Sequence, residues 1–440
     1  MRLLLRCVIA VCVCVLAVTP AWAQNSGGLP GKEHTLAKAA YERAERVVLL
    51  EDAAKGDVVH YRFDLPVGPG PYDVIRIHRV VKEVSPRRPA KKMEGILLLP
   101  GLPQLFEAIF MMAAAPGVPA EQGSIALFLA SHDIDVWGMD YGHSFIPYPT
   151  ANLAFLKGWG IDKEAAHVHT ALSIARWLRA TSEQGNGPIH LLGFSYGGLV
   201  VYAAASEDTQ HPGNLRNIKG IVPVDGTPVR QVMGSAAQLN SCNTARDTLK
   251  TLDSGTYHFN SSASHLRAEA ARDYPDTPNL SSGAATAEFP GFPSGTFTNY
   301  QFMLVNGIRN KTYAGSYTVT PPGAMLMFTH GHRSVTLGTT TPSYYPLQIV
   351  FDGAASRCGT DTYPAAFDDH LGEIEVPIFY VARQDTGLYT TTQTRSRDVT
   401  TLIINPALSP NLYGHADFFL ANNAASEIWR PILDWIRARR

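Results

Sequence analysis

The stretch IHLLGFSYGGLV, residues 189–200, joins an apolar run to a serine set between glycines, Gly193-Phe194-Ser195-Tyr196-Gly197, and then to a second apolar run. An apolar run of strand length, with no polar alternation, reads as a strand covered on both faces. The run after Gly197-Gly198 has the length and composition of a helix. A serine at such a strand-turn-helix junction is held on strained backbone, packed so closely that its flanks tolerate little beyond glycine. Its hydroxyl then projects above the carboxyl edge of a sheet, and the first amides of the following helix point at any negative charge formed there.

The same rhythm extends outward from this stretch. DVVHYRFDLPV (57–67) and YDVIRIHRVVKE (72–83) alternate apolar with polar residues, as half-buried antiparallel strands do. GILLLPG (95–101), DIDVWGMD (133–140) and IKGIVPVDG (218–226) are further strands, separated by the helical patterns SIALFLASH (124–132) and DKEAAHVHTALSIARWLRATS (162–182). Strands alternating with helices predict an α/β fold, a mostly parallel sheet with helices on both faces. Between Pro228 and Glu373 the alternation is lost and Ser, Thr, Gly, Pro and aromatic residues dominate, which reads as an inserted cap. The pattern returns with VPIFYVARQD (376–385), VTTLIINP (399–406) and a final amphipathic helix from Ala424. The expected divisions are a signal segment over 1–23, a core over 24–228, a cap or lid over 229–372 and a second core part over 373–440.

Within the first 23 residues, Arg2 and Arg6 precede an apolar run from Cys7 to Val18 and a small-residue site at Ala21-Trp22-Ala23, the pattern of a cleavable secretory signal. Twelve apolar residues are fewer than the roughly 20 needed to span a bilayer. The expected location is therefore secreted or periplasmic. Losing Arg2 and Arg6 with no acid makes the formal charge of −1 more negative, which argues against phosphate backbones and so against nucleic acid as partners. Two of the five cysteines, Cys242 and Cys358, lie outside this segment, and an even pair in an oxidising compartment predicts a disulfide.

With a strand before Ser195 and a helix after it, the chain resembles the α/β-hydrolase superfamily, and within it secreted and lysosomal acid-lipase-type ester hydrolases. The resemblance covers 60–228 and 373–440 and does not extend to the cap. It implies a serine nucleophile followed in the chain by an acid and then a histidine. Ser195 is the expected nucleophile and His415, in LYGHADFFL (412–420), the expected base. Asp385, closing VPIFYVARQD, is the expected acid, and Asp225, closing GIVPVDG one strand earlier, is the alternative. The oxyanion amides are expected from Tyr196 and from Leu102 in LPGLPQ (99–104), where many relatives carry His-Gly in place of Pro100-Gly101. MDYGHSF (139–145) reads as scaffold near the pocket.

The implied activity is hydrolysis of a small-molecule or lipid carboxylic ester through an acyl-enzyme, without a cofactor. An aspartate would stand at position 195 in a dehalogenase or epoxide hydrolase. Amide hydrolysis, or a binding module on the same fold, are the alternatives. No metal site is expected: His167 and His169 are two apart on a predicted helix, and His330 and His332 lack a third ligand in the sequence nearby. The cap's Phe289, Phe292, Phe297, Tyr300, Phe302, Met325, Met327 and Phe328 either line an acyl pocket or form the cap's own core, and the cap is the expected point of transient contact with a lipid surface.

Overall fold

The computed structural model describes residues 31–90, 92–281, 292–404 and 413–439. The signal segment expected over 1–23, with its three cysteines, and Phe289 of the cap lie outside the described residues.

Nine strands of one large sheet carry the molecule: β1 (Glu45–Leu50), β2 (Asp57–Pro66), β3 (Val74–Ser85), β4 (Glu94–Leu99), β5 (Ile134–Asp140), β6 (Ile189–Phe194), β7 (Ile218–Val224), β8 (Ile378–Ala382) and β9 (Val399–Ile403). Their order is β1-β2-β3-β5-β4-β6-β7-β8-β9, with the two-residue strand Arg88–Pro89 paired to β3. β1 to β3 pair antiparallel and β3 meets β5 antiparallel, whereas every pair from β5 to β9 is parallel. The alternating sequences thus lie at the antiparallel end and the continuous apolar runs in the parallel centre, as burial on one or both faces requires.

Successive residues of the central strands divide between two cores. Leu97, Leu99 and Leu191 pack on one face with the helix Ile161–Thr181, while Ile96, Leu98, Leu192 and Phe194 pack on the other with the C-terminal helix Arg430–Arg437. β6 therefore sits mid-sheet with every residue buried. Its end, and the serine after it, is fixed from both sides.

The segment between β7 and β8 is largely helical, with Ala236–Asp253, Ser262–Asp273, Asn299–Arg309, Gly331–Thr339 and Leu347–Cys358 as its long elements, plus a hairpin of Gly315–Val319 and Pro322–Leu326. A disulfide joins Cys242 to Cys358 across two of these helices, as the cysteine count predicts. Phe297, Phe302 and Val305 form a small core of their own with Phe292 and Tyr317 against them, whereas Met325 and Met327 are exposed. Phe292, Phe297 and Phe302 thus hold this segment together, whereas Phe328 packs against the main core and stacks on Tyr413.

His190 of β6 is fully buried against Trp435, at 5.2 Å between ring centroids, with a hydrogen-bond partner for neither ring nitrogen. Burial, helped by the charges of Lys219 and Arg439, brings its pKa down to about 3. An unfolded imidazole titrates near 6.5, so between these values the unfolded chain takes up a proton that the folded chain refuses. The stability is complete above the unfolded value and is lost as pH falls. Asp352, raised to about 6 by burial, has the opposite sign, so the pH dependence of the wild type alone is a mixture. His190→Leu isolates one term. Urea unfolding across pH 6 to 4 is expected to show the variant's stability falling less steeply than wild type by about 1.4 kcal/mol per pH unit. Parallel pH profiles for the two proteins would refute this.

Candidate active site

Ser195 has φ 55° and ψ −118°, a positive φ that side-chain-bearing residues rarely adopt. Three hydrogen bonds hold it there: its amide donates to Val224 O at 3.1 Å, and its carbonyl accepts from Gly198 N at 3.0 Å and Thr227 N at 2.9 Å. The flanking glycines are required sterically. A Cβ on Gly193 would collide with the carbonyl of Gly197, and one on Gly197 would lie 2.5 Å from the Leu99 carbonyl oxygen. Tyr196 is the first residue of the helix Tyr196–Asp208, so its amide is one of the four that have no partner within a helix.

The loop after β4 closes over this turn. A Cβ on Gly101 would lie 2.8 Å from Ser195 Cβ, so the residue before half-buried Leu102 packs against the serine. The side-chain carbonyl of Gln104 is buried next to Gly101 with no hydrogen-bond partner. Beneath the loop, Tyr141 donates to the Pro100 carbonyl at 3.4 Å and meets the Tyr196 ring edge-on at 5.7 Å. His143 bonds Glu164 at 3.1 Å, and Glu164 also accepts from Trp159 Nε1. MDYGHSF therefore underpins the turn, as expected of a scaffold.

His415 arrives from the far end of the chain. Its imidazole packs on the ring of Phe194, the residue before Ser195, at 4.6 Å between centroids. Its Nδ1 is hydrogen-bonded to Asp225 Oδ2. The acid that the fold brings to the histidine is thus Asp225, at the end of β7, and not Asp385. Asp385 lies three residues past the end of β8, exposed, in the short helical turn Asp385–Gly387. The reason is local: Arg383, the first residue after β8, turns back to Asp225, with Nε at 2.7 Å from Oδ2 and its amide at 3.2 Å from Oδ1. The strand end therefore presents a cation to the site, and the chain has passed it before Asp385. Burial would raise the Asp225 carboxyl, but the hydrogen bond and charge of His415, with Arg383 behind them, hold it below the usual carboxylate range. An ionised Asp225 accepts the Nδ1 proton and leaves Nε2 as the basic nitrogen.

The histidine loop is itself gripped by the segment between β7 and β8. His415 N donates to Lys311 O at 2.8 Å and Ala416 N to Thr312 O at 2.7 Å. The fully buried Asp417 carboxylate accepts from Gly414 N (2.7 Å), Ala314 N (2.8 Å) and the Thr329 hydroxyl (2.6 Å).

No family model and no curated protein matches the chain. Among solved structures, a candidate lipase from Sulfolobus solfataricus superimposes with a TM-score of 0.59 at 18% identity, over 91% of this chain and 100% of that one. The chain has the α/β-hydrolase fold. An epoxide hydrolase from Vigna radiata is similar at TM-score 0.45 and 12% identity, over 90% of this chain and 98% of that one. A soluble variant of the monoglyceride lipase of Saccharomyces cerevisiae is similar at 0.41 and 9%, over 91% and 96%.

Within the α/β-hydrolase fold, Arg383, Gln104 and Asp417 are the site residues that sequence reading passed over. Gln104 and Asp417 stand inside the stretches LPGLPQ and LYGHADFFL, where a polar residue among apolar neighbours is the available signal. Arg383 carries no such signal, because only the sheet shows that β8 lies beside β7.

Proposed function

We propose that the chain is a serine carboxylic-ester hydrolase of the lipase or esterase type. The observation that carries the reading is a histidine, paired with a buried, ionised aspartate, packed against a strained serine turn. In this mechanism His415 Nε2 takes the proton of Ser195 Oγ as the oxygen attacks the ester carbonyl. The imidazolium is stabilised by Asp225, the amides of Tyr196 and Leu102 hold the oxyanion, and the proton passes to the departing alkoxide. Water repeats the attack on the acyl-enzyme and releases the acid. The substrate is a small or lipid ester. Exposed Met325 and Met327 on and beside the hairpin support transient contact with a lipid surface. A secreted or periplasmic location is part of the proposal, supported by the apolar segment of 1–23 and by a disulfide, which persists in oxidising compartments.

The test is a fluorophosphonate label combined with p-nitrophenyl esters of rising acyl length and a set of aminoacyl amides. Stoichiometric labelling at Ser195 and turnover of esters are expected, with amides slower by at least ~10²-fold. No labelling of the wild type, or labelling that survives in Ser195→Ala, would remove Ser195 as nucleophile. Faster turnover of the amides would move the substrate class to peptides.

A further inference from the structure

At the opposite end of the helix that begins beside Ser195, three ligand-bearing side chains converge. Asp208 is that helix's last residue, His211 lies in the turn that follows, and His169 projects from the helix Ile161–Thr181. Asp208 Oδ1 lies 3.9 Å from His169 Nδ1 and 3.9 Å from His211 Nδ1. One ligand atom from each of the three residues falls within 4.8 Å of the others. Both Nδ1 atoms are buried without a hydrogen-bond partner, and His169 as a whole is only 4% exposed.

The protonation pattern follows from the neighbours. His169 Nε2 lies 3.0 Å from the Ala204 carbonyl, which can only accept, so the ring proton sits on Nε2 and a lone pair on Nδ1. That lone pair faces a carboxylate oxygen and a second imidazole nitrogen. At 3.9 Å a single proton cannot bridge nitrogen to oxygen. A cation with ligands at about 2.0–2.2 Å is accommodated once the two 3.9 Å separations contract by a few tenths of an ångström and the imidazoles close around it. Arg216 does not fill this role, because its guanidinium is bonded to the carbonyls of Thr209 and His211. The Ala204 carbonyl behind His169 is the kind of outer partner that orients a metal-bound imidazole.

A second cluster, His60, His78 and Glu107, also has metal-ligand donors, but there the imidazoles satisfy each other. His60 Nε2 meets His78 Nδ1 at 3.0 Å, and His78 Nε2 meets Asp140 at 3.0 Å.

We propose that His169, Asp208 and His211 bind one divalent cation of the zinc class, with the remaining coordination position open to solvent beside half-buried His211. Two imidazoles and a carboxylate suit a borderline ion over calcium or magnesium, which prefer all-oxygen shells. The ion ties the end of the helix Tyr196–Asp208 to the helix Ile161–Thr181 and the turn into β7. Its role is structural and independent of the ester chemistry.

The experiment uses the full chain without a histidine tag, stripped with EDTA and titrated with zinc chloride against a chromophoric chelator. A parallel thermal melt is recorded with zinc and with EDTA. One equivalent of zinc is expected to bind and to raise Tm, reversibly by EDTA. His169→Gln and His211→Gln are each expected to weaken binding by at least ~10-fold, and His60→Gln to leave it unchanged. Should the buried His169→Gln fail to fold, the half-buried His211→Gln carries the test alone. Absence of zinc binding, unchanged affinity in His211→Gln, or loss in His60→Gln would each overturn the site.

Discussion

Replacing Asp225 by asparagine is expected to lower kcat for ester hydrolysis by about 10⁴-fold while the protein stays folded. The asparagine oxygen can still accept from Arg383, so the loop keeps its anchor. What is lost is the charge opposite His415 Nδ1 and the fixed tautomer: an amide can present a donor to Nδ1, moving the ring proton to Nε2, where it blocks abstraction from Ser195. Asp385→Asn is expected to stay within about 2-fold of wild type, since the exposed Asp385 has no such contact with His415. Steady-state rates of both variants on one p-nitrophenyl ester decide the matter. The reverse ranking would return the acid to position 385.

Ser195→Ala is expected to show the largest loss of all, about 10⁶-fold in kcat, because without the hydroxyl the imidazole and carboxylate have nothing to activate. A residual rate roughly 10³-fold over water is expected from the amides of the turn and from substrate binding. Because triad members act as a unit, the Ser195→Ala, Asp225→Asn double variant is expected to be no slower than Ser195→Ala alone. A clear further loss in the double variant would mean that Asp225 acts on a path that does not run through Ser195.

The elements that were legible in the chain are those whose sequence reports its own burial. β4 to β7 are apolar runs bounded by turn residues, and a strand covered on both faces needs no partner to be recognised. Ser195 was legible because sterics at Gly193 and Gly197 leave a trace in composition. The helices of the segment from Ala236 to Cys358 were not. Their faces are small and polar, as in AAQLNSCNTARDTLKTLD, and the apolar period that marks a helix is diluted by Ser, Thr and Asn. The choice between Asp225 and Asp385 was open for a different reason: both close a strand, and which carboxylate reaches a histidine far along the chain depends on where the backbone turns afterward. Arg383 settles that turn by its ion pair with Asp225. The zinc-class cluster was hidden likewise, since the partners of His169 come from the end of another helix and the turn after it.

The hydrogen bonds between Lys311, Thr312 and Ala314 and residues 414–417 tie His415 to the segment between β7 and β8 as well as to the sheet. Any hinge that swings residues 311–314 outward to admit a large substrate carries His415 away from the serine with it. On the proposed mechanism, Ser195 is activated only while residues 311–314 hold the loop 414–417 in place.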